Sequence, residues 1–170
     1  GDIAIALVRR GARVAVVDPS VEMMAAGRGR AGAQDVRWIA AEAERLPFAD
    51  NSVDILTIAF GIRNVTRIED ALAEIARVLK PGGRFLCLEF STPAAWLRPF
   101  YGLWSRTAIP ALGALVSGRR EAYHYLVESI RRFPNQQEFA GMIEQAGLVD
   151  IDWRDYSFGI AAVHHARKAS

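Results

Sequence analysis

Four short apolar runs limit what this chain can fold into: "RVAVVD" at 13–18, "VRWIA" at 36–40, "VDILTIAF" at 53–60 and "RFLCLEF" at 84–90. Each is short for a helix and rich in β-branched or aromatic residues, so each reads as a strand. Helix signals fill the gaps between them. Asp2 is placed to cap a helix whose Ile3, Leu7 and Val8 share one face and which ends at Gly11. Pro19 suits the first turn of a second helix, with Val21 and Met24 facing inward and Gly27 and Gly29 weakening its end. Thr66 and Glu69 have the T-x-x-E spacing of a capping box, and Ile68, Leu72, Ile75 and Leu79 follow at helical spacing. "LKPGG" at 79–83 stops that helix and turns the chain. Strands alternating with helices predict a parallel α/β sheet with right-handed crossovers. The run at 53–60 is continuous enough to predict burial on both faces.

Beyond the fourth strand the pattern changes. Residues 92–133 mix aromatics, Arg and Pro without a strand signal, which predicts a helical insertion. Within it, "WLRPFYGLWSRTAIPALGALV" at 96–116 is apolar but interrupted by Arg98, Pro99, Arg106 and Pro110, so a membrane-spanning helix is not expected. Such a stretch suits a lid packed on the core, a cover for an apolar tail, or a membrane surface. Asn135 and Glu138 open a further helix with Phe139, Met142, Ile143 and Ala146 inward and Gly147 at its end. "LVDIDWRDYSF" and "IAAVHHARK" predict a closing hairpin at the sheet edge, with His164 and His165 facing opposite ways in an edge strand. No repeat or linker divides 1–170, which reads as one domain with 92–133 as a lid.

Charge and cysteine usage exclude several function classes. With 21 basic and 19 acidic residues the net charge is +2, and the basic residues are scattered, so nothing argues for nucleic acid as a partner. The single cysteine, Cys87, lies in an apolar run and rules out a disulfide framework. The three histidines, at 124, 164 and 165, lack ligand-spaced companions, so no metal site is expected. No signal peptide is visible, and a reduced thiol in a core predicts a cytoplasmic protein. The chain starts at Gly1, without Met and inside a helix start, which reads as an N-terminal truncation.

Ligands of open parallel sheets bind beyond the carboxyl ends of the strands. Three features fall there. Asp18 ends the first run and is suited to accept hydrogen bonds from a ribose diol, although it can equally cap the next helix. Glu42 and Ala43 follow the second run. Glu42 could accept from an adenine amino group while Ala43 lets the backbone near the ring; the plainer alternative is a solvated loop carboxylate. Phe60 to Asn64, "FGIRN", follow the third run and set a permanent cation beside an amide. Either these act on a substrate, or Arg63 is a surface residue and Asn64 turns the chain.

"EAERLPFADNSVDILTIAF" followed by "RVLKPGGRFLCLEFS" resembles the S-adenosylmethionine-dependent class I methyltransferases. More narrowly, "FGIRNV", "AYHYLVESIRRFP" and "FGIAAVHHARK" resemble the quinone-biosynthesis C-methyltransferases, which methylate a ring carbon of demethylmenaquinol or of 2-methoxy-6-polyprenyl-1,4-benzoquinol. The resemblance covers nearly the whole chain. It implies a Rossmann-like sheet, mostly parallel, with a C-terminal antiparallel hairpin and a helical insertion. It also implies S-adenosylmethionine as cofactor and a polyprenyl quinol as substrate. Of the family's glycine-rich D-x-A-x-G-T-G-D motif only Gly1 and Asp2 are present, and its central strand is absent. The strands ending at Asp18 and starting at Val53 would then flank a gap roughly 10 Å wide.

Carried onto these positions, the resemblance assigns Gly1, Asp18, Glu42 and Ala43 to the cofactor, and Asp2 and Phe60 join them as cofactor-binding candidates. Many relatives have Asp or Asn where Glu42 stands. Arg63 and Asn64 become catalytic residues. A guanidinium stays protonated and is no ordinary base, but it can stabilise a phenolate or orient a water that removes the proton. Tyr123 joins them, with His124 and Tyr125, as a candidate for proton handling; the alternative is a helix with its tyrosines packed inward. Peripheral membrane contact, a homodimer or a quinone-biosynthesis complex are the further partners this reading admits. A nicotinamide-dependent reductase would use Asp18 equally, but no Tyr-x-x-x-Lys is present: Ser105, Val127, Ser129 and Ile160 follow the four tyrosines. A non-enzymatic rival is an assembly or membrane-surface module with an inactive methyltransferase fold.

Overall fold

Every β-branched run becomes a strand. The computed structural model describes residues 1–30, 32–97 and 120–170, with the backbone alone at 120–124. Strands β1 (Val14–Asp18) and β2 (Val36–Ala40) pair in parallel, from Val14 opposite Val36 to Asp18 opposite Ala40. Strands β3 (Val53–Ala59) and β4 (Leu79–Phe90) pair in parallel, and β5 (Leu148–Tyr156) and β6 (Ala161–Lys168) form the antiparallel hairpin. The strand order is β3-β4-β6-β5, with β1-β2 as a separate sheet. β1 and β3 therefore do not pair with each other, as the reading of a gap between them requires. Helices α1 (Asp2–Val8), α2 (Val21–Arg28), α3 (Ile68–Val78), α4 (Arg120–Arg132) and α5 (Gln136–Gln145) connect or cover the strands.

Two apolar clusters hold these layers. The larger lies where α3 and α5 meet β4, β5 and β6: Leu72, Ile75, Phe85, Phe139 and Ile143 are wholly buried in it. Cys87 is buried there too, and burial pushes its thiol pKa well up, so it behaves as an inert core residue. The smaller cluster is Ala4, Ile5, Ala33 and Val36, with Val14, Val16 and Trp38 against it. Glycine is required where Trp38 crosses α2, because a Cβ on Gly27 would come within 2.4 Å of the indole ring.

Several local expectations change. α1 is capped by Gly1 with no side-chain bond, and Asp2 is its first helical residue; Ala4 and Ile5 face in while Ile3 is exposed. A helix of two turns samples too little of the 3.6-residue period to fix its inner face. Ser20 rather than Pro19 starts α2, its Oγ accepting from the Met23 N–H, and Val21 is exposed while Met24 is buried. β3 is an edge strand, paired on one side only, and Ile55 is 55% exposed instead of covered on both faces. β6 lies between β4 and β5, so His164 and His165 are in an interior strand; His164 is buried and His165 exposed. "LKPGG" is absorbed into β4: Val53 pairs with Leu79 but Ile55 with Arg84, and residues 80–83 bulge out, with Gly82 at φ +73°. Asn135 and Glu138 form the expected reciprocal capping box on α5.

Of the helical insertion, α4 is described, while 98–119, including Trp104, lie outside the described residues. Among the described residues no helix is long and apolar enough to cross a membrane, and no cluster of His, Cys, Asp and Glu could hold a metal ion.

Candidate active site

Asp18 ends β1 beside Ala40, the last residue of β2, so Glu42 and Ala43 leave from the neighbouring strand end. Asp18 Oδ1 accepts from the Ser20 N–H at 2.7 Å, which turns the chain into the N-cap of α2. Its other oxygen has no partner among the described residues. The carboxylate thus satisfies the helix start and still keeps an acceptor for a ribose hydroxyl.

The Glu42 loop is tied to α3 at both ends. Glu44 Oε1 accepts from the backbone N–H groups of Thr66 (2.7 Å) and Arg67 (3.3 Å). These N–H groups are those of the N-cap of α3, Arg67, and of the residue before it, and the expected Thr66/Glu69 box does not form: Arg67 makes no side-chain cap bond. Further along, Leu46 N–H donates to Glu74 at 2.8 Å, and the Arg77 guanidinium donates to the carbonyls of Leu46 (3.1 Å) and Phe48 (2.9 Å). Hydrogen bonding to Arg77 holds the Glu74 carboxyl below its usual range. Ala43 packs on the larger core and Glu42 makes no side-chain hydrogen bond among the described residues.

At the end of β3 the chain makes a tight exit. Phe60 adopts φ +54°, a left-handed conformation costly for a residue with a side chain, while its N–H still donates to Leu88 O at 2.8 Å. Its ring lies 4.7 Å from that of Phe90. A 3₁₀ turn, Ile62–Asn64, follows, with Ile62 fully buried as its anchor. Arg63 is then no surface residue: its side chain is 9% exposed and its Nη1 donates to Phe60 O and to Glu89 Oε1, both at 2.7 Å. Asn64 is exposed, and its Oδ1 accepts from the Tyr125 hydroxyl of α4 at 3.3 Å. Tyr125 is itself exposed instead of packed inward. A cavity of about 380 Å³ opens beside this turn, between Arg63, Val65 and Ile68 on one side and Tyr125, Ser129 and Phe133 on the other.

Glu89 is the residue that sequence reasoning missed. It is 1% exposed, and burial pushes its carboxyl up from the ordinary value, against the pull of the Phe90 N–H and Arg63. A signal was present: in "RFLCLEF" the strand alternates, so Glu89 shares the inward face of Phe85 and Cys87. A carboxylate at such a position needs a partner.

The remaining assigned residues stand as follows. Gly1 caps α1 with Trp38 beneath it, where a Cβ would approach the indole to 3.0 Å, and Asp2 pairs with Arg30 at 2.6 Å in an exposed ion pair. Tyr123 and His124 belong to α4, but their side chains lie outside the described residues. The residues present suit an adenosyl ligand: free acceptor oxygens at Asp18 and Glu42, a small residue at 43 and an aromatic ring at Phe60. All stand at the carboxyl ends of parallel strands.

That arrangement defines a class I methyltransferase fold. A methyltransferase of Thermotoga maritima described as S-adenosylmethionine-dependent superposes with a TM-score of 0.64 at 20% identity, over 91% of this chain and 72% of that one. The [4+2]-cyclase SpnF superposes with a TM-score of 0.66 at 18% identity, over 96% and 69%. A cyclase on the same fold shows that architecture alone does not select the reaction.

Sequence narrows the assignment. The chain belongs to the ubiE/COQ5 methyltransferase family, which it matches over residues 1–168. The ubiquinone/menaquinone biosynthesis C-methyltransferase UbiE of Rubrivivax gelatinosus is 62% identical over 170 residues, covering 100% of this chain and 67% of that protein. The UbiE protein of Paracoccus denitrificans is 50% identical over 175 residues, covering 99% and 70%. The chain thus spans about two thirds of the length of these relatives.

Proposed function

We propose that this chain transfers a methyl group from S-adenosylmethionine to a ring carbon of a polyprenylated quinol in ubiquinone or menaquinone biosynthesis. Family membership supports the reaction class, and the names of the UbiE relatives support the acceptor. The structural observation that carries the reading is the Arg63 guanidinium, fixed at the carboxyl end of β3 beside an open cavity, with Nη2 bonded to no described residue.

The cofactor supplies an electrophilic methyl group on a sulfonium centre. Asp18 would accept from its ribose through the oxygen that Ser20 leaves free, and Glu42 with Ala43 would border the adenine. A quinol ring carbon becomes nucleophilic once a phenolic O–H gives its proton to water. Arg63 stabilises the phenolate oxygen that results, in a largely buried setting where a charge-assisted bond is strong. Asn64, oriented by Tyr125, holds the water or a second quinol oxygen. The ring carbon would bond to the methyl as its bond to sulfur breaks, leaving neutral S-adenosylhomocysteine, and the same carbon would then give its own hydrogen to water as a proton, so that aromaticity returns. The apolar wall of Val65, Ile68 and Phe133 suits the uncharged part of the acceptor, and the stretch 96–116 suits its tail or a membrane surface.

The test is calorimetric titration of S-adenosylhomocysteine into the chain and its Asp18→Asn variant. Asn keeps the oxygen that caps α2 and removes the charge. Saturable binding, weakened about tenfold or more in the variant, is expected, since a hydrogen bond to a charged group contributes about 1.5–3 kcal/mol. A folded chain that binds nothing would overturn the cofactor assignment. Methyl transfer to a short-tailed demethylmenaquinol then checks the acceptor.

A further inference from the structure

A charge buried on an apolar strand face is costly, and Glu89 is placed on one. Two of its three hydrogen bonds come from a single neighbour. Oε1 accepts from Arg63 Nη1 at 2.7 Å and from the Phe90 N–H at 2.9 Å, and Oε2 accepts from the Arg63 backbone N–H at 3.4 Å. The carboxylate therefore holds both ends of Arg63, main chain and side chain. The guanidinium also lies over the Phe90 ring, 5.3 Å from its centroid.

A count of the five guanidinium N–H groups then shows what remains. Both on Nη1 are used, by Glu89 and by Phe60 O. The one on Nε is buried without a partner. Only the pair on Nη2 is left unbonded among the described residues without being fully enclosed. Without Glu89 the same side chain could swing to solvent and offer any edge of its fork.

We propose that Glu89 is a positioning residue for methyl transfer: it fixes Arg63 so that Nη2 alone meets the phenolate oxygen of the acceptor. The assignment rests on the functional reading above and deepens it. It also explains why a strand whose inner face is otherwise apolar around Phe85 and Cys87 carries a carboxylate there. A merely structural ion pair would stabilise the fold without governing turnover.

Three variants separate these roles: Glu89→Gln, Arg63→Lys and the double substitution. Gln keeps the size and one acceptor oxygen but loses the charge that locks the fork. For Glu89→Gln the expected result is a fall in kcat of about 100-fold, comparable to loss of one preorganised donor. The affinity for S-adenosylhomocysteine should stay within about threefold, which also certifies a folded site. In the Arg63→Lys background Glu89→Gln should cost less than about twofold more, because the residue it positions is already gone. ¹⁵N spectra should show resolved Nη1 and Nη2 signals for Arg63 in the unsubstituted chain and averaged ones in Glu89→Gln. Turnover within about threefold of the unsubstituted chain in Glu89→Gln, or full additivity in the double variant, would overturn the proposal. Absence of methyl transfer by the unsubstituted chain despite cofactor binding would instead sink the acceptor reading, and the role of Glu89 with it.

Discussion

At the residue scale the molecule spends its buried polar groups sparingly. Two stand out, Glu89 and His164, and they are held differently. His164 Nε2 donates to Gln136 O at 3.0 Å, and its ring stands edge-on to Phe139 and stacks with Trp153. Burial depresses its pKa below 6.5, against the opposing pull of the Gln136 carbonyl and of Asp155; His165 adds to the depression. The sign of the stability effect follows. Above 6.5 the ring is neutral folded or unfolded, and the contribution is fully present. As pH falls below 6.5 the unfolded chain takes up a proton that the folded one refuses, and stability is lost, with a slope of at most about 1.4 kcal/mol per pH unit for one group. Denaturant melts from pH 7.5 to 5.5 should therefore show a shallower decline for His164→Phe than for the unsubstituted chain. Equal slopes would mean that other groups control that limb. Arg63 carries a related warning. Arg63→Ala alone strands the Glu89 carboxylate in the core, at a cost of about 3–5 kcal/mol, so activity lost in that variant could come from unfolding.

At the element scale, strands were legible and most helix starts were not. β1 to β4 announce themselves through Val, Ile and Phe at the right length, and the α5 cap through Asn135 and Glu138. Those signals are local in sequence. The start of α3 is not: its donors are satisfied by Glu44, some twenty residues earlier, so the T-x-x-E spacing of Thr66 and Glu69 misled. The edge position of β3 could not be read from its own residues, because exposure of Ile55 depends on which strands flank it; only the absent central strand implied by the resemblance pointed to it. At the site, Asp18 and Arg63 could be read from position and chemistry, whereas Glu89 required applying strand alternation to a residue inside an apolar run. Glu44 also links the loop of Glu42 to the turn that follows Asn64. Glu44→Ala should destabilise the chain by about 1 kcal/mol, the usual cost of a lost helix cap, and speed amide exchange in the first turn of α3. Unchanged exchange at Thr66 and Arg67 would show that water replaces the carboxylate without loss.

At the scale of the whole molecule, stability is divided unevenly. Residues 1–40 rest on the small cluster around Ile5, Val36 and Trp38, whereas α3, α5 and the four-stranded sheet share the larger one. Local opening follows such divisions. Amides of β1 and β2 are thus expected to exchange through openings of lower free energy than those of β4 and β6. Equal protection across all four strands would mean that the chain opens as one unit. On the cofactor side of the site Asp18 belongs to the less protected part, whereas Glu42 opens the loop tied to α3, and Arg63 and Glu89 belong to the more protected part. Ligand binding that spans both should narrow the difference. No ladder bond joins β1 to β3. Under a pulling force applied at Gly1, the β1–β2 pair would therefore separate from the larger sheet by shedding packing such as that of Val17 and the attraction of Arg13 for Asp54, with no ladder to unzip. Mechanically, the chain is weakest along the seam that its cofactor would bridge.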